Sequence, residues 1–270
     1  MFAYLKTMLM HPSTLVGLPI WVAGLLMGGL AVVGAVVIEL GARRTVPLKL
    51  RQDHSAIGGA MFTVIGTTYA VLLAFVASLA WESYNKAQLI TDEEASLVQN
   101  VYQLVDGLTG PEMPSLRQDI ISYAQVVVTQ EWPAQALAHS IDEDQKDLAH
   151  LARTALALRP GNIADGNLHR LLLSDLDRLQ STRRARLFAS RTPIPSIIWF
   201  VLIAGGGITV AFGSFLGAPS LRMHLAMSSL LTISGVLVLL VVIALSNPFR
   251  GDYQISPEPF ERVLSHMLPS

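Results

Sequence analysis

The chain has 270 residues, of which 51% are apolar and only 14% charged, with a mean hydropathy of +0.47 and a formal net charge of −1. A soluble domain carries roughly 25% charged residues, so the composition argues against an ordinary soluble enzyme, and the lack of a basic domain removes the electrostatic footprint of nucleic-acid binding. With no cysteine, a disulfide scaffold, a thiolate metal site and a cysteine nucleophile are excluded.

Lys, Arg, Asp and Glu are missing from four windows, residues 15–38, 56–80, 194–217 and 224–246. At about 1.5 Å per residue each can cross roughly 30 Å of hydrocarbon, which predicts four transmembrane helices. The first window follows Lys6 as a signal peptide would, but it is longer than an h-region and no A-x-A step follows, so it is expected to remain as an uncleaved span. A polar link over residues 41–55 carries Arg43, Arg44, Lys49 and Arg51. The second span starts near Ala56 and leaves the apolar phase at Trp81, which makes the first two spans an antiparallel hairpin.

Residues 82–193 form a polar insert that reads as helical, because its apolar residues recur at three and four. One stripe is Leu168, Leu171, Leu172, Leu176 and Leu179; another is Leu116, Ile120, Tyr123, Ala124 and Val127. Breaks are expected at 107–114, around Pro133 and at 160–166, and Ser140 with Glu143 forms a capping box. No Pro or Gly separates the second span from the helix that opens the insert at Glu82, so the two are expected to be one helix. The third and fourth spans are joined by a tight link near residues 219–222. The tail, residues 247–270, contains four prolines and is expected to be mostly extended or irregular.

The predicted fold class is an all-α membrane protein, with four transmembrane helices in two pairs and a helical cytosolic domain inserted between helices two and three. Lys6, Lys86, Arg178, Arg183, Arg184, Arg186, Arg191, Arg250 and Arg262 flank the spans on the insert side, against Arg43, Arg44, Lys49, Arg51 and Arg222 on the other. That asymmetry favours a cytoplasmic insert and tail in a multi-pass inner-membrane protein.

No pattern for covalent chemistry is present, and no cofactor or metal is expected. The seven histidines include no pair at helical ligand spacing and no H-E-x-x-H. Gly205, Gly206 and Gly207 lie mid-span with no strand before them, which is not the context of a phosphate loop. The acidic runs Asp92, Glu93, Glu94 and Asp142, Glu143, Asp144, Asp147 are expected in first helical turns, where they complement the macrodipole.

The second span is asymmetric in volume. Gly59, Thr63, Gly66, Thr67, Ala70, Ala74, Ala77 and Ser78 are small or hydroxyl-bearing; Phe62, Ile65, Tyr69, Leu72, Phe75, Val76 and Leu79 are bulky. A small stripe lets helix backbones approach closely in lipid, or it walls an uncharged pore in which hydroxyls replace hydration and apolar rings dewet. Selectivity would then come from charge at the mouths. Arg51 and His54 precede the second span, and Arg183, Arg184, Arg186 and Arg191 precede the third; Arg51, Arg183, Arg184 and Arg186 are the anion-vestibule candidates. Arginines flanking spans are also ordinary topology signals and headgroup contacts.

The stretch from Gly66 through Phe75, continuing through Trp81-Glu82 and Tyr84 to Asp92-Glu93-Glu94-Ala95, resembles the signature of the bacterial bestrophin-like domain family of unknown function. Tyr123-Ala124, Glu131-Trp132-Pro133 and Asn247-Pro248-Phe249-Arg250-Gly251 with Pro257 and Phe260 fit the same pattern, covering about residues 56–262. The more remote bestrophins proper are pentameric anion channels whose second membrane helix narrows at an apolar neck. Matching Ala74-Phe75 to their Gly-Phe step implies a neck at Val64, Thr68 and Leu72, with Phe75 and Val76 also lining the pore. A Thr stands where they carry an apolar ring, the Arg before the Trp and an Arg-Phe-Pro step are missing, and no acidic calcium belt follows the fourth span.

The resemblance implies a homo-oligomer, a pentamer, that sits in the lipid bilayer and passes small chloride-like anions passively along the second helix. Two other readings remain open at this point: a non-conducting scaffold or sensor whose insert binds a soluble protein, and a stator-like subunit of a proton-driven complex.

Overall fold

The computed structural model describes residues 19–137, 146–191 and 194–268. These residues are helical with short connections, and no strand occurs among them. The helices are α1 (Ile20–Thr45), α2 (Leu48–Asp53), α3 (Ser55–Gly107), α4 (Met113–Val126), a π segment (Val127–Glu131), α5 (Trp132–Ala136), α6 (Lys146–Ala157), α7 (Ile163–Arg191), α8 (Ser196–Ser214), α9 (Leu221–Leu245) and α10 (Glu258–Met267). Four stretches are long and apolar enough to cross a bilayer: Ile20–Thr45, Ser55–Gly107, Ile163–Ser214 and Leu221–Leu245. Residues 15–18 of the first window, Lys6, His11, His139, the Ser140 and Glu143 box, Asp142 and Asp144 lie outside the described residues.

The chain divides into two compact units, one drawn from residues 1–83 and 193–247, the other from 84–192 and 248–270. In the first, Leu73, Val76 and Ala80 of α3 are buried with Trp199 and Leu202 of α8 and Val242 and Ile243 of α9. A second apolar contact joins Ala23 of α1 to Val236 and Leu240 of α9. Ser220 caps α9 by accepting the N–H of Met223 at 3.4 Å. The glycine run in α8 has a packing purpose. A Cβ at Gly205 would lie 2.9 Å from Cδ2 of Tyr69, and one at Gly206 2.8 Å from its hydroxyl oxygen. With both positions bare, Tyr69 lies on the α8 backbone and donates to the carbonyl of Leu202 at 3.0 Å.

In the second unit, the α4 stripe is buried from Leu116 through Val127, and Leu172, Leu176 and Leu179 of α7 meet it in the same core. Leu171, assigned to that stripe from spacing, is 54% exposed. Two expectations are corrected. Pro133 does not break the helical path: it sits in the first turn of α5, where a missing N–H costs nothing, and a π segment precedes it. The tail is not wholly irregular, because Pro259 likewise occupies the first turn of α10, and Phe260, Val263 and Met267 on one face of that helix bury into the core with Phe249 and Ile255.

Gly217 supplies the sharpest steric constraint in the first unit, since a Cβ there would meet the backbone N of Gln52 at 2.6 Å and the carbonyl carbon of Arg51 at 2.7 Å. Backbone cannot swing aside as a side chain can. Gly217→Ala is therefore expected to destabilise the protein by about 1–3 kcal/mol, as overpacking does, read as a lowered thermal midpoint in detergent; an unchanged midpoint would contradict this packing.

Candidate functional site

The outward face of α3 is the first element of the site. Leu73, Val76 and Ala80 turn inward, Tyr69, Leu72 and Ala77 are half-buried against the same core, and the opposite face is exposed among the described residues. That exposed face runs through Met61, Val64, Thr67, Thr68, Val71, Ala74, Phe75 and Ser78. The sequence's volume asymmetry matches the structure only in part: Phe62, Ile65, Tyr69, Leu72 and Val76 are buried or half-buried and Thr63, Thr67, Ala70, Ala74 and Ser78 are exposed, but Phe75 and Leu79 of the bulky set are exposed and Ala77 of the small set is half-buried. Of the five expected pore-lining positions, Val64 (67% exposed), Thr68 and Phe75 (60%) belong to this face. Leu72 is half-buried, and Val76, at 3% exposure, lies in the core, so its pore-lining role is withdrawn. Val71, 64% exposed, takes the place on the stripe that the motif match had given to Leu72. A three-four count from Val64 and Thr68 would have found it.

The chemistry of the stripe is uncharged but not featureless. Thr63 donates its hydroxyl to the carbonyl of Gly59 at 3.0 Å, and Thr68 donates to Val64 at 2.9 Å. With the proton spent on the backbone, each hydroxyl oxygen keeps two lone pairs as an acceptor only. Glu82 lies about five turns beyond Val64 on α3, which returns it to the same azimuth. It is exposed, and no ion pair to it is formed among the described residues.

The vestibule arginines are placed differently from expectation. Arg51 is 4% exposed and donates through Nη1 to the carbonyl of Ser214 at 2.8 Å. Arg183 and Arg186 are 4% and 0% exposed, inside the second unit. Only Arg184 of the four is exposed. A guanidinium that is buried and already neutralised cannot concentrate ions, so the anion-vestibule assignment is corrected for Arg51, Arg183 and Arg186.

Arg186 instead organises the second unit. Its Nε and Nη2 hold Glu94 at 2.7 and 3.0 Å, Nη2 also reaches Glu131 at 2.5 Å, and Nη1 donates to Gln135 at 3.0 Å. Arg183 grips the other oxygen of Glu131 at 2.7 and 3.1 Å. Tyr123 donates to Glu94 at 2.6 Å. The guanidinium lies 5.2 Å from the ring of Trp132 and 6.0 Å from that of Phe260, where cation–π attraction adds to the ion pairs. Two carboxylates and two guanidiniums balance, and burial without that balance would be prohibitive.

Local structure explains the convergence. The π segment presents Glu131 toward α7, a role often found for such bulges, and Glu94 comes from the middle of α3. The run Asp92, Glu93, Glu94 is therefore not a first-turn feature as expected: Glu94 is buried against Arg186 and Glu93 pairs with Arg178 at 3.0 Å. Trp132 donates its indole N–H to the carbonyl of Ile255 at 3.0 Å and meets Phe249 edge-on at 5.6 Å. Motifs far apart in sequence thus close on one ion-paired core.

Burial raises the Tyr123 phenol well above its usual value, and the negative charge of Glu94 pushes the same way. Burial opposes the charge of Arg186, but Glu94 and Glu131 overcome it and hold the guanidinium protonated. Among the described residues no group of three His, Asp or Glu side chains could hold a metal.

These features define an all-helical membrane protein with four bilayer-length stretches and a helical, ion-paired second unit. Solved structures share that architecture. A bacterial bestrophin homologue from Klebsiella pneumoniae carrying a single substitution superposes with a TM-score of 0.65 at 14% identity, covering 89% of this chain and 98% of its own. The form of that homologue phased by Zn-SAD gives 0.64 at 14% identity, covering 88% and 97%. No curated protein matches. The Bestrophin-like domain spans residues 29–260, and the chain belongs to that family.

Two outcomes follow from the Arg186 core. Arg186→Met strands Glu94 and leaves Glu131 to Arg183 alone, and should cost about 3–5 kcal/mol by chemical denaturation, with Glu94→Gln in the same chain recovering part of the loss. Tyr123 adds a pH dependence. Its phenol is held protonated in the fold, so the stability it contributes is complete below the unfolded value of about 10 and declines as pH rises above that. Tyr123→Phe should flatten the alkaline limb of the stability profile; an unchanged limb would contradict the assignment.

Proposed function

We propose that the protein is a passive ion channel of the bestrophin type: a ring of identical chains, a pentamer by resemblance, in which α3 surrounds the axis and small chloride-like anions pass along it. One observation carries this reading, the uncharged face of α3 from Val64 to Ser78 that is exposed among the described residues. In a ring, Val64, Thr68, Val71 and Phe75 form the constriction, narrow and apolar enough to gate by wetting. The two-pair arrangement of spans, the inner membrane and a cytoplasmic insert belong to the same proposal, supported by the charge asymmetry of the flanks. On the link side of the spans, Arg44, Lys49 and Arg222 are exposed against a single exposed carboxylate, Asp53, and raise the local anion concentration.

A second reading, cation permeation, is favoured by two specific features: the acceptor-only hydroxyls of Thr63 and Thr68, and Glu82 at the other end of the stripe. A ring of Glu82 carboxylates would enrich cations at that mouth.

Purified protein in planar bilayers under a potassium chloride gradient separates the two. The expected current reverses toward the chloride equilibrium potential, and Glu82→Gln leaves that potential in place. Reversal toward potassium, moved back by Glu82→Gln, would establish the second reading. Val64→Ala should raise unitary conductance more than Leu72→Ala, because Leu72 is half-buried in its own protomer. Silence under every voltage, pH and calcium level tested would contradict both readings.

A further inference from the structure

Beside the ion-paired core of the second unit lies a buried donor that finds no acceptor. Gln135, in α5, is 1% exposed, and its Oε1 accepts from Nη1 of Arg186 at 3.0 Å. An arginine has no acceptor to offer, so the amide cannot be turned over, and the atom left on its other side is the nitrogen. That nitrogen, Nε2, is buried and has no hydrogen-bond partner. A donor held out of water in this way costs its full desolvation until an acceptor reaches it.

Arg250 stands against the same residue. Its Nε donates to the backbone carbonyl of Gln135 at 3.2 Å. The loop that carries it is held at both ends: Phe249 is buried edge-on to Trp132, and the N–H of Ile255 closes on the carbonyl of Pro248 at 2.7 Å, with Gly251 in the left-handed region at φ 78°. Nη1 and Nη2 of Arg250 remain, and among the described residues no carboxylate pairs with them. Asp252, two residues on, is exposed and is not the partner. The charges of Glu94, Glu131, Arg183 and Arg186 already cancel, so Arg250 is a surplus positive charge at this edge of the core. Partial burial pushes its guanidinium down from the ordinary value, and no neighbouring carboxylate offsets that shift.

We infer that Nε2 of Gln135 and the two terminal nitrogens of Arg250 form a binding site for an oxyanion of the phosphate class. The free groups are all donors, so a cation gains nothing there. The guanidinium fork presents two N–H groups that match two oxygens of one phosphate, and the amide adds a donor to the same anion. The ligand supplies the acceptor that Gln135 lacks and neutralises the charge that the buried quartet leaves over. It ties α5 to the loop of residues 248–255. Arg250 follows soon after Leu245, the last residue of α9, so free phosphate and the phosphate of a lipid headgroup share the required chemistry and both can reach it. The site does not depend on conduction, so its failure and that of the channel reading are separate.

The test is the rate at which phenylglyoxal modifies Arg250 in the full chain, in lipid-free detergent, read by peptide mass spectrometry. Inorganic phosphate is titrated in at an ionic strength held constant with potassium chloride, and short-chain phosphatidic acid is the second arm. The bound anion should slow modification of Arg250 saturably, about tenfold when the ligand exceeds its dissociation constant about tenfold, while exposed Arg184 reacts at an unchanged rate. Protection by phosphate assigns the free anion. Protection by phosphatidic acid at concentrations where phosphate gives none assigns the headgroup, and either result supports the site. Gln135→Glu keeps an acceptor for Arg186 but sets a carboxylate where the amide donated, and should abolish the dependence on ligand. Rates that neither ligand changes, slowing shared equally by Arg184, or protection fully retained in Gln135→Glu would overturn the assignment. Should that variant fail to fold, the two titrations of wild type decide alone.

Discussion

A helix that must be apolar on every side in a bilayer can still be asymmetric in volume, and in the first unit α3 is so. One face finds partners inside the chain: Leu73, Val76 and Ala80 fill the space beside α8 and α9, and Tyr69 lies on the bare backbone of Gly205 and Gly206. Once that face is fixed, the rotation of the helix about its axis is fixed too. The remaining face, mixed in volume, partly hydroxylated and free of charge, is exposed among the described residues. Between identical protomers such a face has two uses, close helix contact or a wall around water, and its alternation of Val64, Thr68, Val71 and Phe75 with small residues serves the second without forbidding the first.

The second unit solves a different problem. It places four charged side chains, Glu94, Glu131, Arg183 and Arg186, in its interior, where unpaired charge would be intolerable. The cost of desolvation is offset by geometry: two-pronged pairing, a tyrosine and a glutamine completing the shell, and aromatic rings over the guanidinium. A hydrophobic substitute would pack as well, but would not demand that α3, α4, the π segment, α7 and the tail meet in one register. Arg186 is thereby a positional constraint, and the sign of the unit's field toward solvent is left to its exposed residues.

Much of this was legible in the sequence, and the misses share causes. The four spans were visible because lipid tolerates almost no charge, so windows empty of Lys, Arg, Asp and Glu carry the signal without any knowledge of contacts. The α4 stripe was visible because helical spacing fixes which side chains share a face. The rotation of α3 was visible only in part as a contrast of volumes, since Phe75 and Leu79 are exposed, and the register taken from a distant motif pointed to Leu72, which is half-buried, where Val71 is the exposed residue. The arginines were misplaced for a deeper reason. A cluster of Arg before a membrane span looks the same whether it faces solvent or is folded inward, and only Glu94 and Glu131, 92 and 52 residues away from Arg186 and Arg183 respectively, decide it. Long-range pairing of charge leaves no local periodicity. The prolines of the tail misled because proline ends a helix from within and starts one from its first turn.

The central claim is that the face of α3 bearing Val64, Thr68, Val71 and Phe75 surrounds water in the assembled protein. The chain has no cysteine, so single cysteines can be read without background. Introduced one at a time along α3 in native membranes, they should react with a membrane-impermeant, water-borne thiol reagent at positions 64, 68, 71 and 75 and stay unreactive at positions 73 and 76. Silence at all six, with reaction only in lipid-soluble reagent at the first four, would put that face against acyl chains and contradict the account.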